Sequence, residues 1–319
     1  MAPDMSYTTE EIAGLLKISK LTVYDLIKKG ELPAYRVGKQ MRVDAADLEA
    51  YKRRMKEQRS PAASAAPADA LPPAGSAAPS AAGGVRPLVI TGQDVSLDIL
   101  AKRLEREVPA VRPLRSYAGS LDSLVSMYRG ESDVVSTHLL DGDTGEYNIP
   151  YVRKLLVGSP CIVVNLLARP AGLYVLRGNP LGIGGWSDLR RPGLRLVNRE
   201  RGSGARVLLD EQLRLHGISP RELAGYDAIE TSHIAVAGRV ASGEADVGVG
   251  TAKAASLVGD IDFVPLISER YDLVLLNKPE NRGWIAALLD ILQSESFRRE
   301  LSALSGYDLS QTGRIMYEN

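Results

Sequence analysis

Residues 60–84, SPAASAAPADALPPAGSAAPSAAGG, divide this 319-residue chain before any other feature bears on it. The run is almost wholly Ala, Pro, Ser and Gly, without an aromatic residue or apolar periodicity. It cannot bury enough surface to offset the entropy of ordering, so it reads as a disordered tether that its prolines extend. With residues 60–85 as linker, a unit of 1–59 and a unit of 86–319 remain, each long enough for its own core. Formal net charge is zero, so any basicity suited to nucleic acid must be local. The single cysteine, Cys161, excludes an intramolecular disulfide and, inside the run Cys161-Ile162-Val163-Val164, reads as a buried structural thiol. His138, His216 and His233 show no metal-ligand spacing. The opening residues MAPDMSYTTEE lack a basic region and an apolar region, and the stretch Cys161–Ala168 is too short to span a bilayer. A cytoplasmic chain without membrane contact is expected.

In the N-terminal unit, Thr8 and Glu11 have the spacing of a capping box, and Ile12, Leu15 and Leu16 then fall on one helical face. Ser19 can cap a second helix with Val23, Leu26 and Ile27 inward and Gly30 at its end. The short gap between them suits a helix-turn-helix. Tyr35-Arg36-Val37 and Met41-Arg42-Val43 around Gly38-Lys39-Gln40 read as a hairpin, and Asp44 caps a third helix with Leu48 and Tyr51 inward. The second helix offers Lys20, Thr22, Tyr24, Lys28 and Lys29 outward, and the hairpin offers Arg36, Lys39 and Arg42. Cations suit phosphates, and donors near a helix start suit base edges. Such a face serves equally as a solvated surface, and Asp25, Glu31 and Asp47 dilute its charge. The run YTTEEIAGLLKISKLTVYDLIKKGELPAYRVGKQMRVDAADLEAYKRR resembles the excisionase-like, winged members of the MerR superfamily of DNA-binding domains. The resemblance implies binding of double-stranded DNA through the second helix and the wing, as a homodimer or with a partner.

From Leu88 onwards, short apolar runs alternate with helical patterns, as in an α/β sheet. Strands are expected at Leu88–Thr91, Val134–Thr137, Cys161–Leu166, Leu173–Leu176, Leu194–Asn198, Val247–Val249 and Asp272–Leu276. Helices are expected at Leu97–Val108, Leu121–Tyr128 and Gly204–His216. Gly, Ser, Thr and Arg gather at the strand-to-helix junctions, where α/β sheets bind ligands and helix N-termini favour anions. Arg201-Gly202-Ser203-Gly204 is the sharpest such junction. A single Gly/Ser turn serves geometry as readily as binding, but several in one unit favour a ligand site. No G-x-S-x-G elbow, P-loop or dinucleotide fingerprint is present, so a non-enzymatic chain is expected.

The runs GLYVLRGNP, RPGLRLVNRERGSGARVLLDEQL, HIAVAGRVASGEADVGVG, DFVPLISERYDLVL and GYDLSQTG resemble the cytoplasmic periplasmic-binding-protein-like domains fused to helix-turn-helix units, a group related to molybdate- and tungstate-binding proteins. The resemblance implies a type II binding fold of two α/β lobes, about 86–170 with 269–319 and about 171–268, with crossovers near Arg169 and Glu269. It also implies a molybdate or tungstate effector and no resident cofactor. Carried over by position, Thr91, Gly92 and Ser120 of the first lobe and Ser203, Gly204, Thr231, Ser232 and His233 of the second would hold the anion, with Arg199 and Arg201 supplying charge. The arginines also permit a larger ligand with a carboxylate or phosphate. The expected whole is a multi-domain chain, a winged helix-turn-helix joined to a two-lobed α/β sensor, acting as a one-component transcriptional regulator. The alternatives are an accessory of molybdenum-cofactor biosynthesis or oxyanion handling without operator-specific regulation, and a nucleoid or excision-type architectural protein with a vestigial sensor.

Overall fold

The computed structural model describes residues 6–16, 23, 26–27, 32–37, 40–57 and 85–319. Two compact units are present, one within residues 1–79 and one within 80–319. The tether sequence of 60–84 lies outside the described residues.

The first unit contains β1 (Ser6–Thr8), α1 (Thr9–Leu16), β2 (Tyr35–Val37), β3 (Gln40–Asp44) and α2 (Ala45–Glu57), with the strands ordered β1-β3-β2. The capping box forms: Thr8 N donates to Glu11 Oε2 at 2.8 Å and Glu11 N to Thr8 Oγ1 at 3.3 Å. Ile12, Val23, Leu32, Val43 and Leu48 make the core, with Leu26, Ile27 and Tyr51 packed against it. Leu15, expected inward, is 51% exposed, so the packed stripe of this short helix is narrower than its spacing implies. Arg42 Nη1 donates to Ser6 Oγ at 3.1 Å, tying the hairpin to β1, and Tyr35 OH donates to Asp44 Oδ1 at 2.7 Å. Arg36 stands on β2, whereas Lys20, Thr22, Tyr24, Lys28, Lys29 and Lys39 lie outside the described residues.

The second unit is one nine-stranded sheet, ordered β5-β4-β6-β11-β7-β10-β8-β9 with β12 beside β7. Its strands are β4 (Arg86–Thr91), β5 (Val111–Ser116), β6 (Val134–Thr137), β7 (Cys161–Leu176), β8 (Leu196–Arg199), β9 (Ile229–Glu230), β10 (Val247–Thr251), β11 (Ile261–Leu276) and β12 (Ile315–Glu318). The helices are α3 (Ser96–Glu107), α4 (Ser120–Tyr128), α5 (Ile149–Leu155), α6 (Gly204–Leu215), α7 (His233–Ala241), α8 (Ala252–Ala255), α9 (Arg282–Gln293) and α10 (Glu295–Ser302). β7 and β11, 16 residues each, pair antiparallel from Cys161↔Leu276 to Leu176↔Ile261. The expected runs Cys161–Leu166 and Leu173–Leu176 are thus two ends of one strand. Ala168-Arg169-Pro170 breaks the apolar pattern there, but β11 supplies partners throughout, with Glu269 opposite Arg169.

The sheet has two halves joined through these strands. β6 pairs with the end of β11 at 272–275, while β10 pairs with the end of β7 at 171–175. Because strand side chains alternate, each end feeds two cores. Ile162, Val164, Leu273 and Leu275 join Leu97, Leu100 and Leu288 on one face, and Val163 and Val274 join Leu124 and Val135 on the other. In the second half Leu173 and Val175 pack with Leu208 and Val249, and Tyr174 with Val236 and Val240. β5 was not expected, because Pro113 interrupts it. As the edge strand beside β4 it tolerates a residue without an N–H.

Gly172 marks the tightest passage in the paired strands. A Cβ there would lie 2.0 Å from the Val264 carbonyl oxygen, beside the register shift between Pro265 and Ile267. Gly172→Ala is expected to destabilise this unit by about 1–3 kcal/mol through overpacking, read as a lowered calorimetric unfolding temperature against wild type.

Candidate ligand site

Five helices begin at one cavity of about 550 Å³ between the halves of the sheet. From the first half come the turn Gln93–Val95 before α3, the turn Tyr117–Ser120 before α4, and Ser136 and His138 at the end of β6. From the second come Arg199, then Ser203 and Gly204 at the start of α6, Thr231–Ile234 at the start of α7, and Thr251 and Lys253 after β10. The paired strands contribute Arg169 and Tyr271.

Local sequence places these groups. Ser203 and Ser232 are N-caps whose hydroxyl oxygens accept from Arg206 N at 3.2 Å and Ala235 N at 3.1 Å. Asp94 Oδ1 accepts from Ser96 N at 2.8 Å, which satisfies the start of α3. Ser120 Oγ accepts from His138 N at 3.2 Å, locking the α4 turn to β6. Tyr174 OH accepts from Thr251 N at 2.7 Å and donates to its carbonyl at 3.0 Å, which fixes the end of β10.

A buried charge network underlies the cavity. Arg169 Nε donates to Glu269 Oε1 at 2.6 Å and its Nη1 donates to Asp94 Oδ2. Its guanidinium lies 4.5 Å from the Tyr271 ring centroid, a cation–π contact. His138 Nδ1 lies 3.2 Å from Glu269 Oε2, and Tyr307 OH donates to Asp94 Oδ1 at 2.8 Å. Burial pushes the Glu269 carboxyl up, but His138 and Arg169 outweigh it and the net shift is well downward. Asp94 follows the same balance, with Arg169 and Ser96 overcoming burial.

Contacts across the two halves close one side of the cavity. Leu121 N donates to the Gly202 carbonyl at 2.9 Å, and Arg199 Nη2 donates to Gln93 Oε1 at 2.9 Å. Arg199 is otherwise held by Glu200, through Nε at 2.7 Å and Nη2 at 2.7 Å. Gly204 lets α6 approach β6: a Cβ there would stand 2.3 Å from His138 Cε1.

Of the residues expected from sequence, Ser120, Arg199, Ser203, Gly204, Thr231, Ser232 and His233 line the cavity together. Thr91, Gly92 and Arg201 do not. The Thr91 hydroxyl is buried against Ser132 Oγ at 2.7 Å. Gly92, at φ 145°, passes so close to Ser136 that a Cβ would lie 1.9 Å from its Oγ. Arg201 is exposed on its turn. Sequence reasoning missed Asp94, His138, Arg169, Glu269, Tyr271 and Tyr307 as site residues. Arg169 and Glu269 had a signal, since charged residues interrupting apolar strands imply paired burial; Tyr307 had none.

His233 supplies a titrating group. The residue is half-buried, and its Nδ1 is shielded from solvent with no hydrogen-bond partner among the described residues. Burial, then Arg199 and Arg169, hold its pKa well below the ordinary histidine value. The unfolded chain therefore takes up this proton first as pH falls below about 6.5, and stability declines from there. Asp94 and Glu269, depressed in the fold, add their loss only below about pH 4. Between about pH 6.5 and 4.5 the wild-type unfolding temperature should fall, with a slope under about 1.4 kcal/mol per pH unit. His233→Asn should flatten that interval in calorimetry, and an unchanged slope would contradict this assignment.

Residues 101–293 match the family described as the PBP superfamily domain, and residues 6–56 match a helix-turn-helix domain. The chain is 51% identical over 313 residues to the protein YvgK of Bacillus subtilis (strain 168), covering 98% of each. Its fold is similar to a histidine kinase sensor domain with similarity to periplasmic binding proteins, at TM-score 0.52 and 12% identity, covering 70% of this chain and 97% of that one. It is also similar to PhnD1 from Prochlorococcus marinus (MIT 9301), solved in complex with methylphosphonate, at TM-score 0.52 and 18% identity, covering 72% and 96%. With five helix starts and the paired strands β7 and β11 around one cavity, and with that family match over most of its length, the chain belongs to the PBP superfamily and carries a helix-turn-helix domain ahead of it.

Proposed function

We propose that the chain is a one-component, ligand-responsive DNA-binding regulator of transcription that works in the cytoplasm as a homodimer. The observation that carries the reading is the pairing of a helix-turn-helix domain with a binding cavity built from both halves of one sheet. The reader would contact double-stranded DNA through Lys20, Thr22, Tyr24, Lys28 and Lys29 and through Arg36 and Lys39 of the hairpin. Arg42, bonded to Ser6, would position the hairpin.

The effector is a small anion. The starts of α4, α6 and α7 point positive dipole ends at the cavity, and each exceeds the length of an isolated turn. Lys253 lines it without an ion-pair partner among the described residues. Ser120, Ser203, Gly204, Thr231, Ser232 and His233 would surround the anion, while Arg199, paired with Glu200, would hold the halves together. Thr91, Gly92 and Arg201 stand outside the cavity lining. The sequence resemblance would make the effector molybdate or tungstate; the cavity supports an anion without selecting a metal oxyanion.

Regulation would follow from closure of the two halves as lobes about β7 and β11. A ligand shifts that equilibrium only by binding the closed state better than the open one. Gly119 tests the closure: a Cβ there would lie 2.7 Å from the Gly202 carbonyl oxygen and 2.8 Å from Ser203 N, backbone atoms of the opposite half. Gly119→Ala should enlarge the radius of gyration in small-angle scattering and leave the unfolding temperature near that of wild type.

For the regulatory role, the full chain should enrich discrete fragments from sheared genomic DNA. The double variant Lys28→Glu, Lys29→Glu should weaken binding to those fragments roughly tenfold or more and flatten its salt dependence by about one unit per lost phosphate contact. Enrichment without sequence preference, or a variant that binds as wild type does, would remove the assignment.

A further inference from the structure

The buried part of the cavity lining is largely polar, and its exposed part carries large apolar side chains beside Gln93, Thr231 and Ser232. Among the polar residues, Ser136, His138, Arg169, Arg199, Ser203 and Thr251 are all buried. Among the apolar ones, Val95 is 42% exposed, Tyr117 67%, Ile234 52% and Leu257 64%. The first two belong to one half of the sheet and the last two to the other, so apolar surface stands on both sides of one mouth. Single exposed apolar residues are ordinary on a protein surface, but a group around a concavity marks something that covers it. The Arg115 guanidinium, 5.1 Å from the Tyr117 ring centroid and tied to Asp98 at 2.7 Å, steadies that ring in place.

Size decides between ligands. A tetrahedral oxyanion takes the room of a few waters, each about 30 Å³ in the liquid. The cavity of about 550 Å³ is many times that, and within the roughly 300–1,000 Å³ of sites for organic molecules. An oxyanion on the polar floor would leave the four apolar side chains wet.

We propose that the effector is a two-ended organic anion. Its carboxylate or phosphate head rests on the polar floor against the starts of α6 and α7. Its flat apolar body lies at the mouth, between Tyr117 on one side and Ile234 and Leu257 on the other. This rests on the sensing role proposed above and names the ligand class for it. Binding then draws the halves together twice over, because the head takes donors from both and the body buries apolar surface from both.

Calorimetric titration of the full chain with two matched pairs tests it: inorganic phosphate against phenyl phosphate, and acetate against phenylacetate. The ring is expected to add roughly tenfold to a hundredfold in affinity for at least one head. Ile234→Ser combined with Leu257→Ser should remove most of that gain while the unfolding temperature holds, and Leu257→Met should keep it. Equal affinity within both pairs, a ring contribution untouched by the double serine variant, or binding of none of the four probes would overturn the proposal. Tight binding of inorganic phosphate or molybdate with both ring-bearing probes excluded overturns it too, and leaves the sensing role standing. Failure of the sensing role reads out separately, as DNA binding indifferent to any anion that the chain binds.

Discussion

Arg169 and Glu269 face each other across β7 and β11 where the two halves of the sheet meet, joined by an Nε–Oε1 hydrogen bond of 2.6 Å. Both side chains are nearly sealed from water, with 7% and 2% of their surface exposed. Moving such charges out of water costs several kcal/mol per ion unless their hydrogen-bonding capacity is met. Here the partners come from distant parts of the chain: Asp94 from the turn before α3, His138 just past the end of β6, and the Tyr271 ring against the guanidinium. The register of the strands has to be correct to the residue for this to work. A slip by one position would turn every side chain of β7 to the opposite face and strand the ion pair among apolar groups.

The same network connects architecture to chemistry. Asp94 caps the approach to α3 through Oδ1 and accepts from Arg169 through Oδ2, and Tyr307 donates to the same Oδ1 that caps the helix. The floor of the cavity is therefore assembled by contacts distant in sequence, while its walls are assembled by local turns. Ser203 and Ser232 cap helices through their oxygens, and each hydroxyl proton remains available to an acceptor. One side chain thus ends a turn and presents a donor.

That division explains what could be read from the sequence. Alternating apolar runs gave away β4, β6 and α6 within a residue or two, because their periodicity is local. The junction at Ser203-Gly204 was legible for the same reason: N-cap chemistry and anion chemistry use the same residues. Thr91 and Gly92 have the right composition but serve packing, one against Ser132 and the other against Ser136, and no one-dimensional pattern separates those uses. β5 was hidden by Pro113, whose tolerance depends on the strand lying at an edge. The unity of β7 was hidden by Arg169 and Pro170, which interrupt an apolar run only until β11 is placed beside them. His138 and Tyr307 join the site through partners more than a hundred positions away, beyond the reach of spacing arguments.

The course of β7 and β11 also governs how such a chain is made. β7 ends at Leu176 and already belongs to both halves, yet the strand beside it along its whole length starts only at Ile261. As the chain leaves the ribosome, the helices α6 and α7 are out before β11 exists to support either core. Arg169 meanwhile waits for a carboxylate one hundred positions downstream. The pairing that joins the two halves of the sheet can therefore form only once residues 261–276 have been made, and the Arg169–Glu269 contact forms with it.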